Sequence, residues 1–344
     1  MDVSQLDYVL PPSAIAQAPA ESRDASRLLV IDRALGTLGD RRFAELPELL
    51  RPGDCVVVND SRVIPARVLA EDETGRPVEL LFVAPLAAGR WSAMVRPGRR
   101  CLPGATLQAG GRPGARLCVV AVAPDGTREL VPMDGTIEAL LEAHGMPPLP
   151  PYVARHAKPA PQDWERYQTV YARVPGSVAA PTAGLHFTPA LLARLAGRGV
   201  DVHALTLHVG PATFRPIRTP TVEAHALPGE RAWVPEGTAT AVNAARAERR
   251  RVVAVGTTVT RALESVARRS GRVEPGEALA DVVITPGYRF GVVDALLTNF
   301  HQPRSSLLAL VAAFAGRDLV LAAYRHAIRA GYRFYSYGDA TLFT

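Results

Sequence analysis

Four histidines stand beside glycine, threonine or proline: His186 in AAPTAGLHFT (179–188), His208 in LTLHVGPATFRP (205–216), His225 in HALPGE (225–230) and His301 in LLTNFHQP (296–303). A lone histidine is usually structural, but four at loop or strand ends suit proton transfer, because imidazole titrates near neutral pH. Metal binding is not what the spacing suggests. No pair stands at HxH or HExxH distance, and no carboxylate cluster accompanies them, so no metal is expected. Two further stretches could hold a ligand. In RVVAVGTT (251–258) an apolar strand ends at Gly256, and Thr257 and Thr258 open a helix. Beyond the carboxyl end of such a strand, free N–H groups and the helix dipole favour a phosphate, a carboxylate or a ribose; the plain alternative is a turn with threonine as N-cap. In VVVNDSRVIPAR (56–67) the run Asn59-Asp60-Ser61-Arg62 is a good turn, or else Asp60 and Arg62 offer a carboxylate and a fork of donors to a polar ligand. There is no GxGxxG or Walker A loop, no GxSxG elbow, and no cysteine with a histidine nearby.

The elements that must position these groups come in two textures. From about 68 to 150 the runs are short: PVELLFVAP (77–85), RWSAMVRP (90–97), ATLQAG (105–110), ARLCVVAVAP (115–124) and TRELVPM (127–133). With Pro-Gly and Gly-Gly punctuation between them, they predict an antiparallel sheet or small barrel. TIEALLEAHG (136–145) is the helix expected there, with Gly145 at its C′ position. From 163 onward helices and strands alternate. Thr188-Pro189 opens the helix PALLARLAGRG, and VDVHALTLHVG follows as a strand. PEGTATAVNAARAERR, TTVTRALESVARRSG, SSLLALVAAFAG and RDLVLAAYRHAIRAG read as helices, with RVVAVG, ADVVITPG (280–287) and YRFYSYGD (332–339) as strands. RLLVIDR (27–33) and GDCVVVND (53–60) match this second texture. The fold class expected is α/β with two domains. Residues 1–67 and 151–344 form a discontinuous α/β domain with helices on a largely parallel sheet, and 68–150 an inserted antiparallel, barrel-like domain.

Composition bounds the partners. The 344 residues are 48% hydrophobic and 21% charged, an ordinary globular balance with a sizeable core. A net charge of +6 and the clusters RPGRR (96–100), ERRRVV (248–253) and RRSGR (268–272) permit an anionic partner, although each cluster also reads as a solvated turn or helix end. Three isolated cysteines, Cys55, Cys101 and Cys118, suit a reducing compartment. With no signal-peptide pattern and no apolar run of bilayer length, a cytoplasmic protein that does not meet the membrane is expected.

Assembled, these stretches resemble the S-adenosylmethionine:tRNA ribosyltransferase-isomerase family of queuosine biosynthesis. The resemblance runs nearly end to end through DASRLLV (24–30), PGDCVVVNDSRVIPAR (52–67), PPYVAR (150–155), ERYQTVYA (165–172), AAPTAGLHFT, LHVGPATFRP, VVAVGTTVTRALES (252–265), PGYRFGVVDALLTNFH (286–301) and YRFYSYGDATL (332–342). It implies a transferase that consumes S-adenosylmethionine as a co-substrate. The ribosyl part is isomerised and attached to 7-aminomethyl-7-deazaguanine at the tRNA wobble position; epoxyqueuosine-tRNA forms while adenine and methionine leave. It also implies an α/β domain with an inserted β-barrel, and a monomer is expected. On this resemblance His186 and His301 are expected as acid/base groups, with Asp60 or Asp294 as orienting or accepting carboxylates. Arg62, Gly210, Thr213, Arg215, Gly256, Thr257 and Thr258 are expected to hold the ribose and methionine ends. Asn59, Thr182, Gly184, His208, Glu264, Asn299 and Asp339 complete the expected binding set, and the basic clusters could meet the tRNA backbone.

The chain departs from the family pattern in four places. HALPGE stands where His-x-Met-His-Ser-Glu is usual, keeping His225 and Glu230. Val259 replaces a serine, Pro211-Ala212 replaces Leu-Gly, and Thr285 replaces the tyrosine of Tyr-Pro-Gly. HALPGE motivates an alternative with the same chemistry on a small-molecule acceptor. A catalytically silent tRNA-binding protein is the third reading.

Overall fold

The computed structural model describes residues 1–344 other than 111–113, 211–216, 226 and 228. The chain begins with the hairpin β1 (Arg27–Asp32) and β2 (Thr37–Arg42), the single turn α1 (Leu46–Leu49), β3 (Cys55–Asn59) and β4 (Ser61–Val63). Six strands follow: β5 (Arg67–Asp72), β6 (Pro77–Pro85), β7 (Trp91–Arg96), β8 (Thr106–Ala109), β9 (Ala115–Val122) and β10 (Arg128–Pro132), and then α2 (Ile137–His144). Next come α3 (Asp163–Arg166), β11 (Val174–Ser177), α4 (Pro189–Gly197), β12 (Asp201–Leu207), β13 (Glu230–Val234) and α5 (Glu236–Ala247). The chain continues through β14 (Val252–Val255), α6 (Thr257–Ala267), β15 (Gly276–Ala280), β16 (Ala295–Asn299), α7 (Ser306–Ala315), α8 (Arg317–Arg329) and β17 (Ala340–Phe343).

Nine strands form one sheet in the order β15-β13-β12-β3-β14-β16-β17-β1-β2. Its centre, β12-β3-β14-β16, is parallel. Every residue of β3, β14 and β16 is buried, as expected for strands covered on both faces. Side chains still alternate between two cores. Cys55, Val57, Val252, Ala254 and Leu296 pack with α5 to α8 on one face, whereas Val56, Val58, Val253, Val255 and Leu297 pack with α1 and α4 on the other. The expectation of a largely parallel sheet needs correction at the flanks. β13 pairs antiparallel with β12 and β15, β16 with β17, and β1 with β2, while β17 runs parallel to β1.

Strands β5 to β10 close into an antiparallel barrel, which removes free sheet edges. Val68, Leu80, Phe82, Leu107, Leu117, Val119 and Leu130 fill it, with Ile137, Leu140 and Leu141 of α2 packed alongside. Gly145 follows α2 with φ −71°, so left-handed backbone is not what selects it. A Cβ there would lie 2.1 Å from the Pro65 carbonyl oxygen and 2.3 Å from that of Leu141, so close approach selects glycine. Two expected strands shift. The strand expected at 280–287 lies earlier, as β15, and the one expected at 332–339 lies later, as β17. Among the described residues no single helix is long and apolar enough to cross a membrane; the bent pair α7 and α8, at 113°, meets the length and composition test together. Both helices pack into the sheet's core.

Candidate active site

Parallel strands β14 and β16 end side by side, and a cleft of about 640 Å³ opens at their carboxyl ends. This is the position at which open α/β sheets bind ligands. The cleft brings together Thr182, Gly256, Thr257, Thr258, Asn299 and His301 from the expected set. Gly256 has φ +98° and ψ 151°, a conformation only glycine adopts readily. No side chain caps α6 there, so the helix presents its first N–H groups to the cleft, and Thr260 is the first to bond back to Gly256. Helix α7 also starts at this cleft, but its own Ser305 hydroxyl accepts the Leu308 N–H at 3.2 Å. Among the described residues, the cleft lining holds no Asp, Glu, Lys or Arg.

His301 lies in the wall with Nε2 2.9 Å from Thr298 Oγ1. Its backbone is fixed by two tyrosines: the Tyr8 hydroxyl donates to its carbonyl, and its N–H donates to the Tyr324 hydroxyl at 3.1 Å. Burial pushes its imidazole pKa down to about 3, so it is neutral at physiological pH. His186 sits behind the wall rather than in it. Its ring stacks on Phe43 at 4.9 Å between centroids. Nδ1 is 2.7 Å from Ser26 Oγ, and Nε2 is 3.1 Å from Asn299 Nδ2. Burial and then the charges of Arg333 and Arg23 push its pKa to about 3 as well. With both ring nitrogens engaged and the ring neutral, His186 is placed to orient Asn299. Burial thus lowers both imidazoles below the near-neutral range expected of acid/base groups.

Sequence reasoning passed over several lining residues: Tyr152, Thr298, Gln302, Ser305, Tyr335 and Ser336. The Tyr152 hydroxyl lies 2.5 Å from Ser336 Oγ, and its ring is 4.7 Å from that of Tyr335. Tyr335 has φ +73°, rare for an aromatic residue and a mark of strain at a functional wall. PPYVAR and YRFYSYGD carried these tyrosines in plain view, but no spacing rule in the sequence joins 152 to 335.

A second, larger cavity lies between the barrel and the β12-β13-β15 flank. Val83, Ser92, Met94 and Thr127 line the barrel side, and His208, Gly210, Glu230, Arg231 and Trp233 the sheet side. Burial and then the Arg231 charge lower the His208 pKa, against the opposing charge of Asp60. Glu230, 8% exposed, accepts from the Gly210 N–H at 3.0 Å and from Arg261 Nη1 at 2.6 Å. Val209 lines both cavities.

Other expected residues serve elsewhere. Asn59 is bound to the backbone of Leu207 and Ser61, tying the end of β3 to β12. Asp60 is buried, accepting from Thr206 Oγ1 at 2.6 Å and Arg173 Nη2 at 2.8 Å, and lines neither cavity. Arg62 is exposed on β4. Asp294 stands at the amino end of β16, where it accepts the Val252 N–H at 2.9 Å; the sheet separates it from the cleft. The carboxylate of Glu264 accepts from Tyr288 and from the N–H groups of Gly291, Val292 and Val293. Asp339 accepts from the N–H groups of Arg27 and Arg333. Gly184 makes room for Tyr171, whose hydroxyl would lie 2.1 Å from a Cβ. His225 borders the larger cavity. Thr213 and Arg215 lie outside the described residues. Within the basic clusters, Arg100 pairs with Asp72, Arg250 with Glu248, Arg251 with Asp54 and Arg268 with Asp281. Among the described residues no group of three or more His, Cys, Asp or Glu could hold a metal ion.

Comparison with known proteins covers the whole chain. Residues 3–343 match the family described as queuosine biosynthesis protein. A Moorella thermoacetica protein named S-adenosylmethionine:tRNA ribosyltransferase-isomerase is 50% identical, with 99% of each chain covered. A Thermus thermophilus protein of the same name is 53% identical, with 98% of this chain and 97% of that one covered. The crystal structure of S-adenosylmethionine tRNA ribosyltransferase from Thermotoga maritima is 37% identical and superposes with a TM-score of 0.57, covering 99% of this chain and all (100%) of that one. On sequence and fold alike, this chain belongs to the queuosine biosynthesis protein family.

Proposed function

We propose that this chain is an S-adenosylmethionine:tRNA ribosyltransferase-isomerase. It transfers and isomerises the ribosyl moiety of S-adenosylmethionine onto 7-aminomethyl-7-deazaguanine in the tRNA wobble position, releasing adenine and methionine. The observation that carries this reading is the shared wall at Val209. A donor in the β14–β16 cleft and an acceptor base entering beside the barrel reach one point from two sides. S-adenosylmethionine supplies its own activation, because the sulfonium acidifies the adjacent C–H and makes a leaving group of methionine. The chain's part is then to bind, orient and move protons. The uncharged lining suits a ligand that brings its own charges. The α6 terminus suits an anionic group, and neutral His301 offers its imidazole from the cleft wall to hydrogen-bond or pass a proton within the bound donor. His208, Gly210 and Glu230 face the acceptor side. Asp60 holds Thr206 and Arg173 beside the acceptor side, and the enzyme works as a cytoplasmic monomer.

The test is direct. Protein, S-adenosylmethionine and tRNA bearing the aminomethyl base are combined; adenine release and the mass of the modified nucleoside are measured. Adenine release that needs this RNA, with the matching mass gain, is the expected result. Release with a free 7-deazapurine but not with the RNA would install the small-molecule reading. An electrophoretic shift of tRNA with no S-adenosylmethionine consumed would reduce the protein to an RNA binder.

A further inference from the structure

The proposed donor carries an α-amino acid head, one carboxylate and one ammonium, into a cleft whose described lining residues offer no ionised side chain to either. Two neutral groups of that lining, at Thr257 and Asn299, keep hydrogen-bonding capacity to spare. β14 and β16 are parallel, with Val255 opposite Leu297, so the start of α6 at Thr257 and the end of β16 at Asn299 lie at the same end of the sheet, and both line the cleft. At Thr257, α6 begins after a glycine that cannot cap it, so donors stand free. At Asn299, which is 3% exposed, Oδ1 is buried with no partner. Nδ2 faces the carbonyl oxygens of Tyr335 and Asp339 at 3.4 Å each, which only a donor suits, so it donates to neutral His186 Nε2 as well, and His186 Nδ1–H donates in turn to Ser26 Oγ. That leaves Oδ1 as a spare acceptor in a side chain that lines the cleft.

We infer that Asn299 Oδ1 and the N-terminus of α6 together hold the zwitterionic methionine head of S-adenosylmethionine, the oxygen accepting from its ammonium and the Thr257 and Thr258 N–H groups donating to its carboxylate. His186 is a positioning residue that fixes the amide. Ser305 already caps α7, which is why the carboxylate goes to α6. The inference rests on the proposed function and adds which end of the donor lies where.

Titration calorimetry with S-adenosylmethionine, its decarboxylated analogue and its deaminated analogue tests both halves. Wild-type protein binds each analogue about tenfold or more weakly than the parent, the worth of a hydrogen bond to a charged group. Thr257→Pro removes one N–H where proline fits the first turn of a helix. It weakens S-adenosylmethionine but leaves the decarboxylated analogue unchanged. Asn299→Asp puts an anion where the acceptor stands, so preference for the parent over the deaminated analogue rises. If the amide instead turned its NH2 towards a carboxylate, Asn299→Asp would weaken the parent, spare the decarboxylated analogue and overturn the assignment. Equal losses for all three ligands in both variants would overturn it too. Wild-type protein that binds no S-adenosylmethionine would sink the proposed function with it; wild-type binding with unchanged ratios sinks this inference alone.

Discussion

Glu264→Gln separates a ligand contact from a tether. Glu264 is 2% exposed and has no basic partner in its hydrogen-bond set. Oε1 accepts the Val292 and Val293 N–H groups at 3.0 Å each; Oε2 accepts the Gly291 N–H at 2.9 Å and the Tyr288 hydroxyl at 3.1 Å. A glutamine of the same shape keeps one oxygen. If that oxygen serves Val292 and Val293, its NH2 faces the Gly291 N–H, donor against donor, while the Tyr288 hydroxyl can turn and accept. One buried bond to a charged acceptor disappears, at about 1.5–3 kcal/mol, and the three others fall from charged to neutral strength, at about 1 kcal/mol each. The expected loss is about 4–6 kcal/mol, a large share of the roughly 5–15 kcal/mol that holds a domain folded. Urea unfolding followed by tryptophan fluorescence reads this as a lower midpoint at unchanged slope. At low temperature the folded fraction keeps the wild-type KM for S-adenosylmethionine. A wild-type midpoint with a raised KM would refute the tether and return Glu264 to the ligand.

Three further outcomes are expected. His301→Ala keeps the fold, because the Tyr8 and Tyr324 bonds go to its backbone, and it cuts turnover on the order of a hundredfold; wild-type rates in steady-state assays would remove His301 from the chemistry. Gly256→Ala meets nothing closer than 3.6 Å but must hold φ +98°, so it lowers stability by about 1–3 kcal/mol, read in the same urea titration, and weakens S-adenosylmethionine binding. The pKa values of His186 and His301 fall from 6.5 to about 3 on folding. The unfolded chain therefore takes up protons that the folded chain refuses, and stability declines as pH drops from 6.5 towards 3. Denaturation midpoints across that range should slope less steeply in His301→Ala.

Much of the architecture was readable because it rests on local signals. Short punctuated runs announced the barrel, and strand-glycine-threonine announced the start of α6. β17 was missed because four residues, Ala340–Phe343, carry little pattern; neighbours on both sides, β16 and β1, make them a strand. The tyrosine-rich stretch before them, which has strand composition, instead folds around the cleft. The site was legible in its glycines, threonines and His301. It was not legible in its carboxylates. Asp294, Glu264 and Asp339 have the residue type that chemistry needs, but each accepts from backbone N–H groups, and a sequence shows a side chain's type without its partner. His186 differs again: its position beside the cleft was legible, whereas the Ser26 and Asn299 bonds that occupy its ring come from segments far apart in the chain.

The place of β17 has a consequence for biosynthesis. The β1–β2 hairpin reaches the rest of the sheet through β17 alone, although 307 residues, 33–339, lie between the end of β1 and the start of β17. At about 5–20 residues per second, a ribosome needs roughly 15–60 s to cover that distance. Throughout that interval the β1–β2 hairpin waits with an open hydrogen-bonding edge on β1, which a holding chaperone would cover.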